Sequence, residues 1–219
     1  MNNATEKRFS QRLVRHHLPL AVVILAAIWL LDWFVGFWLN TTDPKFFYFR
    51  LSLATGYVAL VLLIATLSIG AINVLRERRN PISSDWRRDV GIWCALVSVA
   101  HFIVGWNVHQ KHRWQYFFTD EWGLRGDVFG FANYTGLLAT IIVVVLLAIS
   151  NDFSLRRLKA KRWKFLQRFN YALAVLVIAH TVLYQILEKR PPSLIVPVAV
   201  VIVFGIIVQI LGFRQFRKL

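Results

Sequence analysis

Two histidines that lie within long apolar stretches are the residues of this chain best suited to bind a metal. Of the six histidines in the 219 residues, His101 and His180 alone fall inside such stretches. An ionisable side chain in hydrocarbon is costly, so intramembrane histidines are rare and usually functional. A single buried histidine could serve only an interhelical hydrogen bond. The other four lie before the first stretch or in a polar loop: His16, His17, His109 and His112.

The stretches that must position these two histidines are each long enough to cross a membrane. The chain is 57% hydrophobic with a mean hydropathy of +0.53, and the apolar residues are gathered into runs. A helix needs about 20 such residues to cross the hydrocarbon core. We therefore predict an all-α, polytopic membrane bundle of about six transmembrane helices, over residues 18–39, 51–75, 90–106, 131–150, 171–187 and 194–213.

The basic residues predict how this bundle is oriented. The net charge is +15, and 19 of the 26 lysines and arginines fall on one side of the predicted spans. Because basic residues favour the cytoplasmic side, we expect both termini in the cytoplasm and a multi-pass protein of the inner (plasma) membrane. The domains expected are a basic cytoplasmic N-terminus (1–17), the transmembrane domain (18–213) and a cytoplasmic tail (214–219). The charge lies between apolar runs, so it predicts contact with membrane lipid and no binding of nucleic acid.

The two intramembrane histidines are predicted to lie at the same depth. The third and fifth spans run in the same direction. His101 follows Arg88 by 13 residues, and His180 follows Arg168 by 12. At 1.5 Å per residue, both rings lie roughly 18–20 Å from the cytoplasmic boundary. Two histidines at one depth on neighbouring helices could bind one ligand between them.

The residue types alone do not decide what the two intramembrane histidines bind or do. Zinc requires more ligands than two, and no Cys, Asp or Glu stands near this pair in the sequence. A proton relay is expected to include carboxylates, and the nearest intramembrane acid is Asp32. Haem needs two axial nitrogens and an apolar slot. Haem, structural hydrogen bonding, and another metal or a relay all remain as interpretations at this level.

The segments around the two histidines resemble the ferric reductase-like transmembrane family. Residues 87–94 read RRDVGIWC and lead to His101, and residues 157–166 read RLKAKRWKFL and lead to His180. Gly56 in the second span also fits the family pattern. The similarity covers a core of about residues 51–187, and within the family it is greatest to the haem-binding membrane subunits of bacterial periplasmic methionine-sulfoxide reductase systems.

This resemblance implies haem b between the third and fifth spans, with His101 and His180 as its metal-binding and cofactor-binding residues. It assigns no catalytic side chain. Members of that subunit group carry a further histidine 13 residues before the second ligand, where this chain has Gln167. Larger relatives stack two haems, but here Arg87 and Arg88 occupy the corresponding earlier positions. We therefore expect one haem.

The same resemblance implies an oxidoreductase component that transfers electrons across the membrane. The sequence shows no nicotinamide- or flavin-binding domain, so we expect the electron donor to be a quinone or a separate flavoprotein on the basic face. The acceptor is expected outside, at the aromatic loop 106–129, and is an external protein such as a periplasmic reductase, or a ferric chelate. A non-redox role, as a small transporter or an assembly protein, is the alternative from another class.

Overall fold

A computed structural model describes residues 11–77, 85–108 and 113–218. The predicted features on residues 1–10, His109 and His112 lie outside the described residues. The structure is 84% helical, and its described part contains no strand. The described residues form seven α-helices: α1 (Leu18–Trp38), α2 (Phe47–Leu75), α3 (Asp85–Trp106), α4 (Val128–Ala148), α5 (Asp152–Gln167), α6 (Phe169–Leu187) and α7 (Pro192–Phe216).

Six of these helices are long and apolar enough to cross a membrane, which confirms the predicted all-α, multi-pass architecture. They are α1, α2, α3, α4, α6 and α7. Helix α1 begins at the predicted residue, and the other five begin two to five residues before the predicted spans, most clearly α2 and α3. The extra turns carry aromatic or charged residues, which suit the membrane interface rather than its centre. Hydropathy alone therefore placed these starts too late.

The connections define two sides of the bundle. We call the side with residues 39–46, 107–108, 113–127 and 188–191 the loop side, and the opposite side, which carries residues 11–17 and 217–218, the terminal side. Helix α5 lies on the terminal side. Asn151 caps α5 by accepting a hydrogen bond from the Ser154 backbone N–H at 2.8 Å. Lys159 interrupts its helical geometry with a φ of 60°.

Helix α2 is the centre of the bundle. In its most apolar window 61% of the residues are buried, compared with 28% or less in each of the other five spans. Its residues Val58 and Leu62 belong to a core shared with α3 and α4, which includes Cys94 and Val143. Helix α7 packs closely on α2 where Gly212 faces Ala71, since a Cβ on Gly212 would lie 2.7 Å from the Ala71 Cβ. Small residues allow such close approach of membrane helices.

Candidate metal-binding site

The structure brings His101 of α3 and His180 of α6 together in the interior of the bundle. Their ring centroids are 6.1 Å apart, and the ring planes are inclined at 79°. The sequence placed the two rings at equal depth from the spacing of each histidine to an arginine at the membrane edge. The short centroid separation agrees with that expectation, and it shows that the two rings are neighbours in the interior of the bundle.

Each of these imidazoles makes one hydrogen bond to the backbone of a neighbouring helix. Nδ1 of His101 lies 2.9 Å from the carbonyl oxygen of Ser52 on α2, and Nδ1 of His180 lies 2.8 Å from the carbonyl oxygen of Ala132 on α4. A carbonyl oxygen can only accept, so Nδ1 of each ring carries the hydrogen in this arrangement. Nε2 of each neutral ring then keeps a free lone pair, which is the arrangement that metal-binding histidines usually have.

A glycine one helical turn after each of these carbonyls leaves space for the ring. Gly56 follows Ser52 by four residues, and a Cβ on Gly56 would lie 3.0 Å from Cε1 of His101. Gly136 follows Ala132 by the same interval, and a Cβ there would lie 2.7 Å from Cε1 of His180. The same local arrangement thus positions both histidines: a backbone carbonyl accepts from the ring, and a glycine one turn later leaves room for it.

Both rings line a cavity of about 350 Å³. Toward the terminal side its wall is mostly apolar and includes Leu63, Val143 and Leu173. The Ser98 and Thr140 hydroxyls there donate to carbonyls of their own helices. Toward the loop side polar groups line it, among them Tyr184 and Arg190. Sites for small molecules and cofactors have this character, with an apolar body and a few placed polar groups.

The loop-side end of the cavity is built from packed aromatic rings. The Tyr184 hydroxyl donates to Asn133 Oδ1 at 2.8 Å, and the Tyr184 ring lies 4.9 Å from that of His180. The Tyr116 hydroxyl donates to the carbonyl of Gly105 at 2.8 Å and fixes the following loop to the end of α3. Other rings continue toward the surface: Phe129, Trp106, Phe117 and Trp114.

Other residues singled out in the sequence lie elsewhere. Gln167 ends α5, where its Oε1 accepts from Asn170 Nδ2 at 3.2 Å, and it does not line the cavity. Asp32 pairs with Arg50 on the loop side, with 3.3 Å between carboxylate oxygen and Nε. Among the described residues no group of three or more His, Cys, Asp and Glu side chains could bind a metal ion.

A buried acid on the terminal side was not anticipated. Asp89 lies within α3 rather than before the third span, and its side chain is fully buried. It forms an ion pair with Arg12 and lies 2.7 Å from Nδ1 of His16 and 3.5 Å from Nε2 of His17. The two histidines of the N-terminal segment therefore contact α3, although the sequence showed only that they precede the first apolar stretch. Only the tertiary structure brings these residues together.

Sequence reasoning also missed three residues of the histidine pair's surroundings: Ser52, Ala132 and Gly136. The first two act through their backbone carbonyls, so no side-chain type identifies them. A small residue followed four positions later by glycine occurs in both α2 and α4, and this shared spacing is the one signal that could have found them.

Comparison with known proteins gives one family match. The model of the ferric reductase like transmembrane component matches residues 55–178, more than half of the chain. The matched region includes His101 and Gly136 and ends two residues before His180. No solved structure matches the chain. The family match and the six helices long enough to span a membrane agree with each other. The chain therefore belongs to the ferric reductase like transmembrane component family.

Proposed function

We propose that the chain is a b-type haem protein that transfers electrons across the inner membrane, with His101 and His180 as the axial ligands. The observation that carries this proposal is the pair of neighbouring imidazoles, whose ring centroids are 6.1 Å apart. Metal–imidazole bonds are about 2 Å long, so two rings on opposite sides of one metal have centroids roughly 6 Å apart. The family membership supports the same electron-transfer role.

The surroundings of the two rings fit a haem in further respects. Both Nδ1 atoms are engaged by carbonyls of Ser52 and Ala132, which fixes ring orientation and leaves both Nε2 atoms available. The donor set is two nitrogens in an apolar cavity, which suits haem iron and falls short of the ligand number that zinc requires. When bound, the haem supplies reversible one-electron chemistry.

The residues of this chain then orient the cofactor and shield it from water. Gly56 and Gly136 allow the histidine rings to approach the neighbouring helices closely. Apolar side chains such as Leu63 and Leu173 line the terminal-side part of the cavity. In a cavity of low polarity the less charged reduced state is favoured, and the neutral imidazoles contribute to the remaining tuning of the potential.

The aromatic cluster supports an acceptor that docks on the loop side. Consecutive ring centroids are separated by 4.9 to 6.4 Å from His180 to the loop surface, where Trp114 is 61% exposed. We propose that the loop side faces outward, as the basic residues indicate. The rings of this series after His180 are Tyr184, Phe129, Tyr116, Trp106 and Trp114.

The partners belong to the same proposal. The donor is a quinone or a separate flavoprotein at the basic terminal side. The acceptor is a periplasmic reductase, for which a molybdopterin-bearing methionine-sulfoxide reductase is the first candidate because of the sequence resemblance to that system's membrane subunit. Ferric chelate is the second acceptor to assay.

Haem content of the purified protein tests the proposal. Protein from haem-replete cells should show a Soret band and sharp reduced α and β bands, and pyridine haemochrome assay should give about one haem per chain. Substitution of His101 or His180 by Ala should remove the spectrum. His16→Ala, which alters a histidine on the terminal side, is the matched control and should retain it.

Three results would count against it. A colourless preparation would favour a transporter or an assembly protein. A ratio near two haems per chain would contradict the expectation drawn from Gln167. A spectrum that survives both histidine substitutions would place the haem at other residues.

A further inference from the structure

Arg190 is a buried arginine in the short connection between α6 and α7. Its side chain is 5% exposed, and the nearest carboxylate oxygen is that of Glu188, 3.8 Å from Nη2. The guanidinium carbon lies 4.9 Å from the ring centroid of Phe49. Among the described residues no acceptor lies within hydrogen-bonding distance of this guanidinium, although arginine has five N–H donors.

Arg50, a partly buried arginine on the same side, is differently placed. Arg50 donates to the carbonyl oxygens of Thr41 and Asp43 and pairs with Asp32 at 3.3 Å. Protein groups therefore satisfy Arg50, and it does not line the cavity of the histidine pair. Arg190 lacks such acceptors. Burial lowers the pKa of Arg190, while the Glu188 carboxylate acts in the opposite direction. A buried cation in this condition is stabilised by an additional anion.

Arg190 and Glu188 line the cavity that contains the histidine pair. Phe49, on which the guanidinium lies, precedes Ser52 by three residues, or about 4.5 Å along α2. Since the Ser52 carbonyl accepts from His101, the guanidinium lies toward the loop side of the histidines. The opposite end of the cavity is mostly apolar. The cavity thus suits a molecule with a large apolar body and a carboxylate at one edge.

We propose that the guanidinium of Arg190 binds a propionate carboxylate of the haem, so that the propionate edge faces the loop side. This inference rests on the proposed function, because it requires the haem to lie between His101 and His180. Arginine is well suited to the role, since its planar group can donate two parallel hydrogen bonds to one carboxylate. The exposed Glu188 carboxylate, 40% accessible, can turn toward water when the propionate binds.

Reconstitution with a modified cofactor tests the inference. The full chain, freed of haem in detergent, is titrated with iron protoporphyrin IX and with its dimethyl ester, and binding is followed by the Soret band. The ester keeps the ring and the iron but lacks the carboxylates. The unmodified chain should bind the free acid about tenfold to a hundredfold more tightly, the range of a hydrogen bond to a charged group.

Variants locate the origin of that preference. Arg190→Gln should reduce the acid-to-ester preference to near unity, whereas Arg50→Gln should leave it unchanged. Glu188→Gln removes the competing carboxylate and should increase the preference. Glu188 is partly exposed, so this variant should fold, and it tests the role of Arg190 even if Arg190→Gln fails to fold.

The outcomes separate this inference from the proposed function. Equal binding of acid and ester by the unmodified chain, with a spectrum that depends on His101, leaves the haem site intact and overturns the role of Arg190. A preference that survives Arg190→Gln, or that Glu188→Gln leaves unchanged, overturns it as well. Failure of both porphyrins to bind any folded variant contradicts the proposed function itself.

Discussion

Gly136 lies against the imidazole of His180 so closely that a Cβ at this position would be 2.7 Å from both Cε1 and Nδ1 of the ring. Gly56 has the same relation to His101, with corresponding distances of 3.0 and 3.2 Å. Each glycine stands one turn after the residue whose carbonyl accepts from the ring. The same arrangement of carbonyl and glycine therefore occurs on α2 for His101 and on α4 for His180.

Gly136→Ala is expected to displace the His180 ring and lower haem content. Alanine is a better helix former than glycine by about 1 kcal/mol, so helix propensity alone would stabilise the variant. A fall in haem per chain, measured by pyridine haemochrome, would thus come from the contact with the ring. Gly56→Ala should have the same effect to a smaller extent, because its Cβ has more room.

Gly126→Ala is the control for this pair, since a Cβ at Gly126 meets nothing within 4 Å. It should leave haem content unchanged. Normal haem content in Gly136→Ala would show that the ring can move without losing its ligand role.

Asp89→Asn is expected to release the N-terminal segment from α3. The carboxylate is fully buried and contacts Arg12 and His16. Neutralising it removes the negative charge that pairs with Arg12, and loss of a hydrogen bond to a charged group costs about 2 kcal/mol. The thermal midpoint should fall, and limited proteolysis should cut near residues 11–17 more rapidly.

Glu121→Gln neutralises an exposed acid on the loop side and is the matched comparison for Asp89→Asn. It should alter neither measurement. Equal proteolysis rates in the two variants would mean that Asp89 does not fix the segment.

Asp127 should make the loop before α4 sensitive to acid. The Arg125 side chain and the Gly130 backbone N–H donate to this carboxylate and lower its pKa from 3.8 to about 2. Because the pKa is lower in the folded state, the carboxylate stabilises the fold fully above pH 3.8. That contribution is lost as the pH falls through about 2. Tryptophan fluorescence in detergent, followed from pH 5 to pH 2, measures the change.

Two variants divide the roles of Asp127. Asp127→Asn keeps a side chain that can cap α4 but removes the charge, so the pH dependence below 4 should flatten. Asp127→Ala also removes the cap, which costs about 1 kcal/mol at neutral pH. An unchanged acid transition in Asp127→Asn would assign it to another group.

Tyr184→Phe should show whether Tyr184 stabilises the surroundings of His180 or contacts the cofactor itself. The variant keeps the ring 4.9 Å from His180 but loses the hydrogen bond to Asn133. A neutral hydrogen bond contributes about 1 kcal/mol, so thermal stability should fall modestly while haem content is retained. Complete loss of haem in this variant would instead indicate that Tyr184 contacts the cofactor directly.

The sequence alone determined the class of fold and the location of the two histidines. Hydropathy and the length of each apolar stretch predicted six spans, because a membrane fixes the length and polarity of any helix that crosses it. The spacing of His101 and His180 from basic residues predicted their common depth, since rise per residue in a helix is constant. Gly56 was identified through the family resemblance.

Tertiary structure decided which surfaces of those helices meet. Periodicity does not reveal the partner of a helix in a membrane, where both lipid and protein surroundings are apolar. Ser52 and Ala132 contribute backbone carbonyls, and because every residue has one, the residue type does not indicate this role. Arg190 and Asp89 look like ordinary loop-edge charges in the sequence, yet the fold buries one beside the histidine cavity and the other beneath the N-terminal segment. Contacts between residues far apart in the chain depend on helix packing, which the sequence pattern of a single helix does not specify.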